Sequence, residues 1–180
     1  MVGTGPENLH ALAEEYLDAC TAALDTIQDF APGLGGAPER RFISPGLPAF
    51  DCCDQLSVHI QGVLDAQTLP GGLGAGRRHA YGGKVNLVLM VATLTRCVPV
   101  ITDKTWPTPE EMEVAAEQIN ADGWALWNHL FNLALAGQLF QFCGEVHWDG
   151  LNSIVPQGGC GGWTLGVRVR LDGYQETIGT

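Results

Sequence analysis

Positive charge is what this sequence has least of. Nine Lys and Arg stand against 20 Asp and Glu, a formal net charge of −11. Binding nucleic acid without regard to sequence draws on cationic side chains that displace phosphate counterions, so this balance opposes it. Long apolar runs are also missing. No stretch approaches the ~18 uninterrupted apolar residues expected of a membrane-spanning helix, so no membrane partner is expected. The opening "MVGTGPENLH" has neither a basic start nor an apolar segment. No secretory leader is therefore expected, and synthesis in the cytoplasm is.

Chemical motifs are scarce as well. Six cysteines occur, at 20, 52, 53, 97, 143 and 160, yet no Cys-x-x-Cys pair exists. Cys52 and Cys53 are adjacent, and neighbours on a strand point to opposite faces, which hinders a shared grip on one ion. Cys143 and His147 would lie about 13 Å apart along a strand. "GGLGAG" at 71–76 lacks the spacing of a dinucleotide loop, and "GGK" at 82–84 lacks the first glycine and the Ser/Thr of a P-loop. No Gly-x-Ser-x-Gly elbow or His-Glu-x-x-His pair occurs. Asp51 and Asp54 flank the cysteine pair and would disfavour a nucleophilic thiolate. The expectation is no catalytic residue, no metal and no cofactor. The alternative from another class is a small Cys/His metal-dependent enzyme.

What the chain does have is core-forming material, with 46% hydrophobic residues over 180 positions, enough for one domain spanning 1–180. Residues 6–28 predict an amphipathic helix. Leu9, Leu12, Ala13, Tyr16, Leu17, Cys20, Leu24 and Ile27 form its apolar stripe, with Glu14, Glu15, Asp18 and Asp25 mostly toward water. A Pro/Gly-rich connector follows, with a short extended piece at "RRFIS". Strict alternation of Leu56, Val58 and Ile60 with polar residues predicts a strand at 54–63. A second strand at 84–97 is apolar on both faces, so it is either central and covered or has a face awaiting another subunit. Thr108, Pro109, Glu110 and Glu111 start a second helix that runs to Gly137. Gly123 is a candidate kink, and Ile119, Trp124, Trp127, Leu130, Phe131 and Ala134 are its expected core face. The last third reads as a hairpin, with Trp163, Leu165, Val167, Val169 and Leu171 inward and Thr164, Gly166, Arg168 and Arg170 outward.

The order helix-strand-strand-helix-strand-strand predicts an α+β fold: an antiparallel or mixed sheet of four to five strands with two main helices on one face. Residues 69–83 are read as an extended Gly-rich hairpin loop and 173–180 as a flexible tail. If 54–63 and 84–97 form a hairpin centred near residue 75, partners sum to about 150. That would place Cys53 opposite Cys97 as a cross-strand thiol pair.

Several pieces in order resemble the tail-terminator (neck) proteins of long, non-contractile-tailed phages, the actinobacteriophage type especially. They are the amphipathic first helix, "CCDQLSVHI", the strand closing in "LTRCVPVI", the "ADGWALWNHL" helix, and "GGCGGWTLGVRVRLD". Together they span about residues 6–173. The resemblance implies a structural virion protein of the tail and neck, made in the host cytoplasm. It would form a homohexameric ring that caps the head-proximal end of the tail tube and ends tube polymerisation. Its partners would be further copies of itself, the major tail tube protein and the head-side stopper, with DNA passing through the lumen unbound. The alternative within this class is another neck component, a stopper or tail-completion protein. Candidate interface residues are then Val88 and Met90 on the apolar strand, Arg77 and Arg78 at the loop tip, and Arg168 and Arg170 on the last strand. The last two are expected to meet acids from a neighbour's first helix.

Overall fold

A computed structural model describes residues 9–27, 34–47, 54–65, 86–101, 105–141 and 143–171. Seven elements follow one another: α1 (Leu9–Asp25), β1 (Arg40–Ser44), β2 (Gln55–Asp65), β3 (Asn86–Cys97), α2 (Pro109–Leu135), β4 (Val146–Gln157) and β5 (Cys160–Leu171). They make a five-stranded mixed sheet in the order β1-β2-β3-β5-β4, with β1 parallel to β2 and the other pairs antiparallel. The α+β expectation holds, and the "RRFIS" piece becomes its edge strand. The Gly-rich loop at 69–83 and the tail at 173–180 lie outside the described residues.

The β2–β3 register follows the sequence reading. Gln55 faces Thr95 and Ile60 faces Met90, pairs that sum to 150, until an irregularity between Ile60 and Gly62 shifts the register by one. Even-numbered residues of β3 therefore look toward the helices. Val88, Met90, Ala92 and Leu94 join Leu56, Val58, Leu165, Val167 and Val169 in one buried cluster with α1 and α2. This corrects an expectation: Val88 and Met90 are fully buried, covered by the chain's own helices instead of awaiting a neighbour. The other face of β3 changes character along its length, from Leu87, Leu89 and Val91 to Thr93 and Thr95.

α1 buries Leu12, Ala13, Tyr16, Cys20, Ala23 and Leu24, close to the predicted stripe, while Leu9 remains exposed. The Tyr16 hydroxyl donates to the Leu165 carbonyl at 3.0 Å, a buried bond worth about 1 kcal/mol. Its ring packs near Phe140 and Trp148 at centroid distances of 5.9 and 6.4 Å. Glu15 does not simply face water. Its carboxylate accepts from the Phe140 backbone N–H at 2.6 Å, where Phe140 takes a left-handed φ of 56°. A bond to a charged acceptor helps offset that conformational cost.

α2 starts with a capping box. The Thr108 side chain accepts from Glu111 N–H, and the Glu111 carboxylate accepts from Thr108 N–H. It ends at Ala136, with Gly137 at φ 63°. Gly137 N–H donates to Ala134 O and Gln138 N–H to Leu133 O, the paired bonds of a left-handed glycine stop. Between β4 and β5 the turn is Gly158-Gly159, with φ of 58° and 84°. Two successive positive φ values suit glycine and match the twist of a tight hairpin.

Candidate functional site

Three contacts around residues 118–123 decide how α2 lies on the sheet. Arg96, at the end of β3, donates from Nε to Asp122 Oδ2 at 2.8 Å and from Nη2 to Asp122 Oδ1 at 3.0 Å. It also reaches Asp54 Oδ1 at 2.7 Å and the Gly36 carbonyl at 2.6 Å, and Gln118 donates to Asp122 at 3.3 Å. One guanidinium thus ties together α2, the residue leading into β2 and the connector before β1. Asp122 is fully buried and Arg96 nearly so. Burial raises the Asp122 carboxyl above its ordinary value, and Arg96 and Gln118 work against that. Desolvation alone would lower Arg96, but the bonds to Asp122 and Asp54 outweigh it and hold the group above its ordinary range.

The other two contacts involve Trp163 on β5. Its indole N–H donates to the Ile119 carbonyl at 2.6 Å. A Cβ on Gly123 would sit 2.6 Å from the same ring. Gly123 is therefore a point of close approach inside the helix Pro109–Leu135. Together these contacts turn α2 so that Asp122, Gly123, Ala125, Leu126 and Leu130 are its buried residues. Trp124 and Phe131, expected in the core, are instead 62% and 40% exposed. Hydrophobicity alone points these aromatic positions inward, but the buried Arg96–Asp122 pair overrides that pattern.

The outward surface of α2 is the candidate site. Trp124, Trp127, Asn120 and Gly123 line a groove of about 470 Å³ with Leu151 and Trp163. A second groove, about 270 Å³, runs from Phe131 and Leu135 to Phe140, Val146 and Trp148. Trp127 and Phe131 stack between them, 6.0 Å apart and 12° from parallel. Leu135 is 72% exposed at the far end. Residues 124–137, "WALWNHLFNLALAG", carry no Asp, Glu, Lys or Arg. Exposed apolar patches are where contacts between proteins tend to form, and this one carries no carboxylate on an otherwise acidic chain.

The remaining candidate residues fall elsewhere. Arg168 grips Asp149 with Nε at 3.0 Å and Nη2 at 2.7 Å. Arg170 pairs with Glu145 at 3.4 Å. Both arginines are thus matched by acids of β4 and its approach, which corrects the expectation that a neighbour's helix supplies those partners. Arg77, Arg78 and Cys53 lie outside the described residues. Cys97 is exposed at the end of β3. Among the described residues, no group of three or more His, Cys, Asp or Glu is placed to hold a metal ion. No helix there is long and apolar enough to cross a membrane.

On the sheet face away from the helices, Ser57 and His59 are buried, and Ser57 Oγ and His59 Nδ1 have no hydrogen-bond partner. Desolvation lowers the His59 pKa, so the neutral ring is favoured. Sequence reasoning also passed over Arg96 and Asp122. The only signal was a lone arginine ending an otherwise uncharged strand.

The sequence matches no known family model and no curated protein.

Proposed function

We propose that this chain is a structural virion protein: a tail terminator that assembles as a ring on the head-proximal end of a phage tail tube and joins it to the head-side connector. The observation that carries the reading is the exposed side of the second half of α2, with Trp124, Phe131 and Leu135 outward in a stretch free of Asp, Glu, Lys and Arg, on a protein of net charge −11. A subunit that must bind copies of itself and adjoining tail parts needs such a surface, whose buried aromatic anchors supply most of the binding energy. The ordered motifs from the first helix to "GGCGGWTLGVRVRLD" support the choice of tail terminator over stopper or tail-completion protein. The acidic balance suits a lumen through which DNA passes without adhering.

The test is genetic and structural together. Particles produced without this chain are expected to show tail tubes of uncontrolled length beside DNA-filled heads that lack tails. Tails of normal length joined to heads would count against the assignment. Labelled protein located away from the neck in intact particles would do the same.

A further inference from the structure

We propose that Cys97 and Cys160 form an oxidisable pair, a cross-strand disulfide site that links β3 to β5. The two residues are direct partners in the β3–β5 ladder. Beyond them, Val98 N–H donates to the Gly159 carbonyl at 2.8 Å, which makes that outer rung hydrogen-bonded. Rungs alternate, so Cys97–Cys160 is a non-hydrogen-bonded pair, where opposed side chains come closest. Cα separations at such rungs, about 4.5 Å, fall inside the range a disulfide spans.

The side chains also share a face. Arg96 turns toward Asp122 on α2, and a Cβ on Gly161 would meet the Ile119 side chain. Alternation then points Cys97 and Cys160 together to the face away from the helices. Cys97 is exposed and Cys160 is buried, which gives the two thiols different parts in the chemistry. A small-molecule disulfide such as oxidised glutathione reaches Cys97 first. The Cys97 thiolate attacks one sulfur, forms a mixed disulfide and releases one glutathione thiolate. The Cys160 thiolate then attacks Cys97 Sγ, forms the protein disulfide and expels the second glutathione. The two protein thiols give up two protons and two electrons, and the reagent takes them up as two reduced glutathiones. Cys20 takes no part: it is fully buried in the core, where desolvation pushes its thiol up and disfavours the thiolate. The bond would close a long loop containing α2 and β4, beside the Arg96–Asp122 contact.

The β2–β3 register, continued past Gln55–Thr95, offers Cys53 as a rival for Cys97. The experiment separates the two. Reduced full-length chain is treated under native conditions with oxidised glutathione, remaining thiols are alkylated, and the digest is mapped by mass spectrometry without reduction. The expected product is a peptide pair joined through Cys97 and Cys160, formed equally in Cys53→Ser and absent in Cys97→Ser. The thermal midpoint should rise by about 5–10 °C on oxidation and return on reduction. A link from Cys97 to Cys52 or Cys53 would overturn the proposal. So would a persistent glutathione adduct at Cys97 with Cys160 still alkylatable after unfolding.

Discussion

The two halves of α2 share one helix and little else. From Pro109 to Gly123 it is capped by Thr108 and Glu111, carries Glu110, Glu113, Glu117 and Asp122, and is pinned at its inner end by Arg96 and Trp163. From Trp124 onward it carries no Asp, Glu, Lys or Arg, and Trp124, Phe131 and Leu135 are exposed beside two grooves. In the first half a buried ion pair and a close glycine contact fix the helix, while the second half sends Ala125, Leu126 and Leu130 into the core and leaves Trp124, Phe131 and Leu135 exposed. Burial therefore runs opposite to hydrophobicity at Asp122 and Trp124. A buried charge survives because it is paired and hydrogen-bonded, and under the proposed function the exposed tryptophan serves an interface.

That contrast can be broken most severely at the buried ion pair. Removing one partner strands the other, so Arg96→Met should cost about 3–5 kcal/mol in chemical denaturation. A loss below about 1 kcal/mol, within the usual range for a surface change, would mean the pair does not hold α2 in place.

On the exposed half the expected effect moves from folding to association. Trp124→Glu should change folding stability by no more than about 0.5–1 kcal/mol, yet weaken contact between subunits by about 2 kcal/mol or more. Thermal melts and sedimentation at matched concentrations read the two quantities separately. Between the halves, Gly123→Ala pits better helix propensity, about 1 kcal/mol, against a clash with the Trp163 ring. The clash should win, with a net loss of about 1 kcal/mol and a change in tryptophan fluorescence. A stabilised variant would show that the helix can move off the indole.

The smallest effect concerns the far face of the sheet. Burial lowers the His59 pKa in the folded chain. The stability it contributes is thus complete above the unfolded value of about 6.5 and is lost as pH falls through the folded value. Urea midpoints at pH 7.5 and 5.5 should differ more for the native chain than for His59→Gln. Equal differences would place the acid sensitivity elsewhere.

Much of the architecture could be read from the sequence because local signals agreed with it. Period-two alternation located β2 and β5, the Thr-Pro-Glu-Glu start and Gly137 bounded α2, and the hairpin centre fixed the β2–β3 register. The candidate site was harder to read. Helical periodicity treats aspartate as outward and tryptophan as inward, and it cannot see a guanidinium arriving from a strand 26 residues earlier. Nor can alternation on one strand reveal which partner lies opposite. The sequence points Arg168 and Arg170 to acids of a neighbour's first helix, because Asp149 and Glu145 become their neighbours only once β4 is laid beside β5. Val88 and Met90 looked like spare apolar surface because β3 shows hydrophobic residues on both faces, and only the placement of the helices shows which face is covered.

The most direct test concerns the outward strip of α2. Particles lacking this chain are supplied either with the native protein or with Trp124→Glu, whose unchanged thermal midpoint is verified first. Electron microscopy then scores heads joined to tails of normal length. The native chain should restore finished particles, whereas the folded variant should leave tails overlong and unattached. Full restoration by the variant would contradict the assignment of that strip to assembly.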